Sequence, residues 1–421
     1  MIHVLGRRLA SRTIAVFLLL LTACAHQASP PATVSCAAQH PCTPCPTCPL
    51  TKPTATTPAP IPSAAAEPAV GVAEAASWST IDGWNDDDPA AAFPALQASC
   101  TVLSRQATWK PACDAASALG RKPAAAAARQ FFEQYFVPWR LMNADRSVEG
   151  LITGYYEPLI KGNRNRSGTY AWPIHGRPED MLTIELGDVY PELKNLRLRG
   201  RLVGNKILPY WSREELAQRQ EQLASKVLLW ASDPIDLFFL QVQGSGRVEL
   251  PDGRTVRIGY ADQNGHPYQS IGRWLVAKGE LPLEKASMEG IKRWAQDNPA
   301  RLPELLNANP SYVFFRELPP SDDGPIGALG VPLSAGRSIA VDPRYVPLGA
   351  PVFLSTTRPL SNTPLQRLML AQDTGSAIKG AIRADFFWGP GPQAGLEAGR
   401  MRQQGRMWIL LPRGLNPPGA R

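Results

Sequence analysis

Leu370-Ala-Gln-Asp-Thr-Gly-Ser-Ala-Ile-Lys-Gly-Ala-Ile-Arg-Ala-Asp-Phe-Phe-Trp-Gly389 holds two apolar runs, each carrying one aspartate. Asp373 and Asp385 are twelve residues apart, enough for a strand, a turn and a return. An aspartate beside Phe386, Phe387 and Trp388 loses solvent, which raises its pKa and keeps it protonated near neutral pH, as a general acid requires. The same spacing also suits two aspartates that cap turns by accepting backbone N–H bonds. Asp373-Thr-Gly-Ser376 matches the loop of aspartic proteases. A single-chain protease of that kind needs two such loops to build its dyad, and the sequence has one.

Outward from this stretch, short β-rich runs alternate with Gly, Pro and Asn from about Gly150 onward. Residues from Leu237 to Tyr260 read as a β-meander, in which alternation places Gln241, Gln243 and Ser245 on one strand face. Two amides and a hydroxyl on a groove wall suit sugar hydroxyls; a solvated sheet face has the same pattern. Thr153-Gly-Tyr-Tyr-Glu-Pro158 and Tyr260-Ala-Asp-Gln-Asn264 set aromatic rings beside polar groups. They supply Tyr155, Glu157, Tyr260 and Asn264 as sugar-contact candidates, although such rings also build cores. Helices are expected over Ala90 to Leu103, Ala115 to Tyr135, and Leu283 to Gln296, the last with Ser287 as N-cap. The fold class is mainly β with peripheral helices.

Several chemistries have no visible machinery. No P-loop, dinucleotide fingerprint, Gly-x-Ser-x-Gly or His-Glu-x-x-His motif occurs. Of five His, only His175 and His266 lie in the body, so neither a His-rich metal site nor a Ser-His-Asp triad is expected. No cofactor is expected either. The formal charge of +8 becomes +5 without residues 1–23, which hold Arg7, Arg8 and Arg12 and no acid. That mild basicity is not a nucleic-acid signature and suits a partner bearing carboxylates.

The N-terminus directs the chain out of the cytoplasm. The three Arg precede an apolar run from Thr13 to Ala23, too short to span a bilayer but right for a signal peptide. Leu21-Thr-Ala-Cys24 is similar to a bacterial lipobox, which makes Cys24 the lipidated first residue; Ala25 after it favours the outer membrane. Residues 24–77 read as a Pro-rich tether, with eleven Pro between Pro30 and Pro68. The tether's Cys36, Cys42, Cys45 and Cys48 suit disulfides in an oxidising compartment better than a metal site. Cys100 and Cys113 flank a short segment and are expected to pair locally.

Taken together, Gly154-Tyr-Tyr-Glu-Pro158, Gln241-Val-Gln-Gly-Ser-Gly-Arg247, Tyr260 to Gly272, Asn309-Pro-Ser-Tyr-Val-Phe-Phe315, Gly327 to Leu348 and Gln372 to Gly391 make a chain that resembles the membrane-bound lytic murein transglycosylase A family. The resemblance covers roughly residues 150–411. Its C-terminal part resembles the three-aspartate domain, with Asp342, Asp373 and Asp385 as the three. The resemblance implies a double-psi β-barrel (78–176 and 319–412, with N-terminal helices), an inserted β domain (177–318), a groove between them, and a tail (413–421). It implies non-hydrolytic cleavage of the β-1,4 bond between N-acetylmuramic acid and N-acetylglucosamine. Asp385 maps to the acid, and Asp373 and Asp342 to supporting roles; apart from the resemblance, Lys379 is expected to polarise the pair or to hydrogen-bond substrate. The implied partners are the peptidoglycan glycan strand, the outer membrane through the anchor, and cell-wall synthesis or scaffold proteins. Two other readings remain open: a glycoside hydrolase using the Asp373–Asp385 pair, and a non-catalytic peptidoglycan-binding lipoprotein.

Overall fold

The chain enters as β1 (Ala73–Ala75), followed by α1 (Phe93–Leu103), α2 (Lys110–Leu119) and α3 (Ala125–Tyr135). This computed structural model describes residues 73–193, 196, 198–223 and 226–417. The leader, Cys24, the four tether cysteines and the last four residues lie outside the described residues. The single helix expected from Ala115 to Tyr135 is two helices, because Gly120-Arg-Lys-Pro123 interrupts it and Pro cannot continue a helix. A disulfide joins Cys100 to Cys113 and ties α1 to α2.

β2 (Phe136–Leu141) and β3 (Gly150–Glu157) come next. Pro158 alone separates β3 from β4 (Leu159–Asn163), which is followed by β5 (Trp172–His175), β6 (Leu182–Ile184), β7 (Leu198–Val203) and β8 (Lys206–Pro209). Then follow α4 (Arg213–Ala217), α5 (Gln220–Leu223), β9 (Val227–Ala231), α6 (Pro234–Gln243), β10 (Gly246–Glu249) and β11 (Thr255–Gln263). α7 (Ile271–Ala277), α8 (Met288–Asp297), α9 (Leu302–Asn307) and β12 (Val313–Leu318) complete this middle region. The chain returns as β13 (Ser338–Val341), β14 (Pro351–Thr357), β15 (Pro364–Asp373), β16 (Ala384–Pro390), α10 (Gly391–Arg400) and β17 (Arg402–Pro412).

β17, β14, β15, β13, β16 and β3 pair in that order, and β3 pairs back onto β17, so six strands close into a ring. Closure leaves these strands without free edges. β2 joins the far half of β17, through partners such as Leu410 and Pro138, and carries β1. The interior is apolar: Ile339, Val352, Leu368, Leu370, Phe386 and Ile409 are fully buried. Phe93, Phe131, Phe132 and Phe136 pack on one another, mostly edge to face, and join the helices to this core.

The middle region builds a second sheet in the order β12-β11-β10-β4-β9-β5, with β6, β7 and β8 as a small separate sheet. Ile160, Ile174, Leu229 and Val248 form its core. β4 and β5 were expected with the first body; they pair here because Ile160 and Ile174 bury against this sheet, so it begins at Leu159 rather than Arg177. The whole is a mixed parallel and antiparallel β structure with peripheral helices. Among the described residues, no helix is long and apolar enough to cross a membrane.

One element differs in kind. The run around Gln241, expected as a strand, is helix α6. Asp233 accepts from the backbone N–H of Ile235 and Asp236, both at 2.9 Å, Pro234 sits in the first turn, and Gly244 ends the helix at φ 79°. Gln241, Gln243 and Ser245 therefore do not share a strand face. β10 and β11 do form the hairpin, with Gly246 opposite Ile258. α8 begins after Ser287, which accepts from Gly290 N–H at 3.2 Å, and buries Ile291 and Trp294. Gly290 is required there, since a Cβ would sit 1.9 Å from the Lys285 carbonyl oxygen.

Candidate active site

The ring's strand register lines up the acids. Asp373 on β15 is level with Ala340 on β13, Ala340 with Asp385 on β16, Asp385 with Thr153 on β3, and Thr153 with Arg402 on β17. One rung across five strands thus carries both aspartates. They open into a cleft of about 500 Å³ whose other wall is the middle region, including Gln243, Ser245, Tyr260, Arg213 and Ser311. Ala340 of the rung packs with Tyr155, Leu333, Ile378 and Phe387 in a small apolar cluster.

Asp385 accepts a hydrogen bond from the Thr153 hydroxyl at 2.6 Å. Burial pushes its carboxyl from 3.8 up to about 6; the Thr153 bond and the Arg383 guanidinium pull the other way, and the charge of Asp373 adds to the rise. Asp385 therefore keeps a fraction of its proton close to neutral pH, where an ordinary carboxyl has none to give. Asp373 accepts from the Tyr155 hydroxyl at 3.1 Å on one oxygen and from Ala328 N–H at 2.9 Å on the other. Burial, with Asp373 and Asp385 beside it, holds the Tyr155 phenol well above its usual value, so it stays a donor. Tyr155, expected as a sugar contact, is buried, bonds Asp373 and is not among the residues lining the cleft.

Asp342 is buried and faces neither oxygen into the cleft. Burial alone would raise its pKa; hydrogen bonds from Arg344 (2.6 to 3.2 Å) and Gly380 N–H (2.9 Å) outweigh it and hold it below the usual carboxylate range. Its place is structural: it anchors the turn between Asp373 and Asp385. Lys379, expected to polarise the pair, is exposed on that turn and outside the cleft lining, because its neighbour Gly380 is held inward by Asp342.

On the opposite wall, Gln243, Ser245 and Tyr260 line the cleft, as does Gln241, which is almost wholly buried. Gln243 accepts from Tyr156 N–H at 3.1 Å and so fastens α6 to β3. Two sugar-contact candidates turn inward instead. Glu157 is buried against Arg247 at 3.2 Å; burial raises its pKa and Arg247 opposes the rise. Asn264 is fully used by the backbone, donating to the carbonyls of Trp211 and Pro310 and accepting from Tyr312 N–H. Residues not singled out beforehand include Thr153 and the cleft-lining Arg213, Gln263, Tyr268 and Arg316. Thr153 heads the Gly-Tyr-Tyr-Glu run, but only strand pairing reveals its partner. Among the described residues, no group of three or more His, Cys, Asp or Glu could hold a metal ion.

Residues 151–316 match the MltA specific insert domain, and residues 337–411 match the 3D domain. Membrane-bound lytic murein transglycosylase A of Escherichia coli K12 is 34% identical over 281 residues, 65% of this chain and 68% of that protein. The chain belongs to the membrane-bound lytic murein transglycosylase A family. Solved members share the fold. The Neisseria gonorrhoeae MltA crystal structure superposes with a TM-score of 0.71 at 39% identity, covering 82% of this chain and 94% of that one. E. coli MltA with bound chitohexaose gives 0.59 at 28% identity, covering 82% and 95%.

Proposed function

We propose that this chain is a peptidoglycan lytic transglycosylase in which Asp385 is the one acid–base catalyst. The observation that carries it is the placement of a carboxyl with a pKa of about 6 in a cleft shared by two β bodies. Membership of the family and the chitohexaose-bound E. coli relative support a glycan strand as the occupant.

Protonated Asp385 gives its proton to the glycosidic oxygen between N-acetylmuramic acid and N-acetylglucosamine. The C1–O bond breaks and the N-acetylglucosamine side leaves with its 4-hydroxyl. The 6-hydroxyl of the same muramic acid then attacks C1, and the Asp385 carboxylate removes its proton. The product is a 1,6-anhydro sugar and Asp385 is protonated again. Glycosidases that use water place a second carboxylate to activate it or to attack the sugar. Here the nucleophile is already attached, so proximity does that work. Asp373, held on both oxygens, acts by its charge: it helps raise the pKa of Asp385. Asp342 positions the turn.

The six-strand ring is read as a double-psi β-barrel, with residues 159–318 as the inserted domain. Residues 1–23 are read as a lipoprotein leader and Cys24 as the anchor, which puts the enzyme on the periplasmic face of a Gram-negative outer membrane. The test is mass spectrometry of peptidoglycan digested by the wild type and by Asp385→Asn. Anhydro-muropeptides from the wild type alone are expected. Reducing-end muropeptides would mean a hydrolase using Asp373, and glycan binding without any product would mean a non-catalytic binder.

A further inference from the structure

Arg213 is more than nine-tenths buried, yet no carboxylate among the described residues pairs with it. Its Nε donates to the Asn309 carbonyl at 3.0 Å and one terminal nitrogen to the Ser311 carbonyl at 2.7 Å. The rings of Phe238 and Tyr312 lie 4.9 and 5.0 Å from its centre. Burial lowers its pKa to about 10, which leaves it fully charged at neutral pH. The other terminal nitrogen has no hydrogen bond among the described residues and is not sealed from solvent. A buried cation without a counter-ion is expensive, and a protein tolerates it where a ligand supplies the missing charge.

The position of Arg213 says where that ligand lies. Arg213 lines the catalytic cleft, and it also lines a second cavity of about 210 Å³ behind the same wall. Gln241 is the other polar side chain common to both, and its Oε1 is buried without a partner. Arg213 thus offers one guanidinium N–H to an anion, with the Gln241 oxygen sealed beside it. His175, also on the second cavity, is neutral: burial lowers its pKa to about 4, and Tyr312 bonds its Nδ1 at 2.8 Å. The buried charge of this wall therefore rests on Arg213; Arg316, which also lines the cleft, is exposed.

We infer that Arg213 receives a carboxylate carried on the lactyl side of the substrate's muramic acid. The inference rests on the glycan-strand reading of the cleft. It makes Arg213 a specificity residue that recognises muramyl strands over neutral ones. The carboxylate belongs either to the free lactyl group of a peptide-stripped strand or to the stem peptide.

The test measures binding of soluble glycan strands in the Asp385→Asn background, where binding is separated from turnover. Peptide-bearing strands and amidase-stripped strands are each compared before and after carbodiimide coupling to methylamine. Chitohexaose is the carboxylate-free reference. Neutralisation is expected to weaken binding about ten- to hundredfold, the loss of one charged hydrogen-bonded contact. Whichever strand type is weakened identifies the source. Adding Arg213→Met should bring the ratio of native to neutralised affinity close to one, while Arg316→Gln on the same cleft wall should preserve it. If Arg213→Met does not fold, Arg213→Gln takes its place; it removes the charge while its amide can still donate to a carbonyl, so most of the ratio should disappear. Equal binding of native and neutralised strands, or a ratio that survives the Arg213 variants, overturns the inference. A normal ratio in a wild type that yields no anhydro product would instead overturn the transglycosylase reading and leave this site standing.

Discussion

Asp385→Asn should stabilise the folded protein while abolishing turnover, and its effect should depend on pH in one direction. The folded carboxyl titrates at about 6 against 3.8 for an unburied one. Below pH 4 both states are protonated and the group contributes nothing. As pH rises from about 4 to 6 the unfolded chain releases its proton first, so wild-type stability falls. Above pH 6 the full penalty is present and stays constant. At about 1.4 kcal/mol per pH unit the shift corresponds to about 3 kcal/mol, and water in the cleft reduces the expected value to about 1–3 kcal/mol. Asn carries no charge and removes the penalty, although its amide must share the site with the Thr153 hydroxyl. The assay is urea unfolding of both proteins at pH 3.5, 5, 6 and 8, taking the difference at each pH so that other titrating groups cancel. The expected difference is near zero at pH 3.5 and levels off above pH 6 with the variant more stable. A variant no more stable than wild type at pH 8, or a gap that does not change with pH, would refute burial as the origin of the acid.

The rate should carry the same signature: kcat/KM on peptidoglycan is expected to fall as pH rises through about 6, because only protonated Asp385 can begin the reaction. Thr153→Val removes the hydrogen bond that favours the charged carboxylate, so this limb should move up by about one pH unit, read from the pH–rate profile. Asp342→Ala leaves Arg344 and Gly380 N–H without their partner and should cost about 2–3 kcal/mol in urea unfolding, with a lower kcat because the turn between the aspartates loosens. Lys379→Ala should leave kcat/KM within about twofold of wild type, since an exposed side chain outside the cleft contributes little.

The legible part of the site was the part whose chemistry is local. Asp385 beside Phe386, Phe387 and Trp388 announces a desolvated acid, because it lies in an apolar run whose residues are largely buried. Glu157 and Asn264 were misleading for the opposite reason. Each lies in a run of aromatic and polar residues that fits a sugar platform, and only tertiary contacts reveal that Arg247 and the Tyr312 backbone have taken them. The strand assigned around Gln241 failed on a competition between signals. Leu237-Phe-Phe-Leu-Gln-Val-Gln243 has the apolar density of a buried strand, but Asp233-Pro234 before it and Gly244 after it are helix punctuation, and the caps decide. Arg213 was not legible, since a lone Arg before Glu-Glu reads as a surface helix until its burial is seen.

The rung that joins Thr153 to Asp385 spans 232 residues of sequence. During synthesis the first of these strands must wait for almost the last. Neither half can form the acid's surroundings alone, and a chain broken off anywhere before residue 385 lacks the proton donor itself. Pairings this distant are also slow to form. The acid site in this arrangement is complete only when the polypeptide is essentially finished.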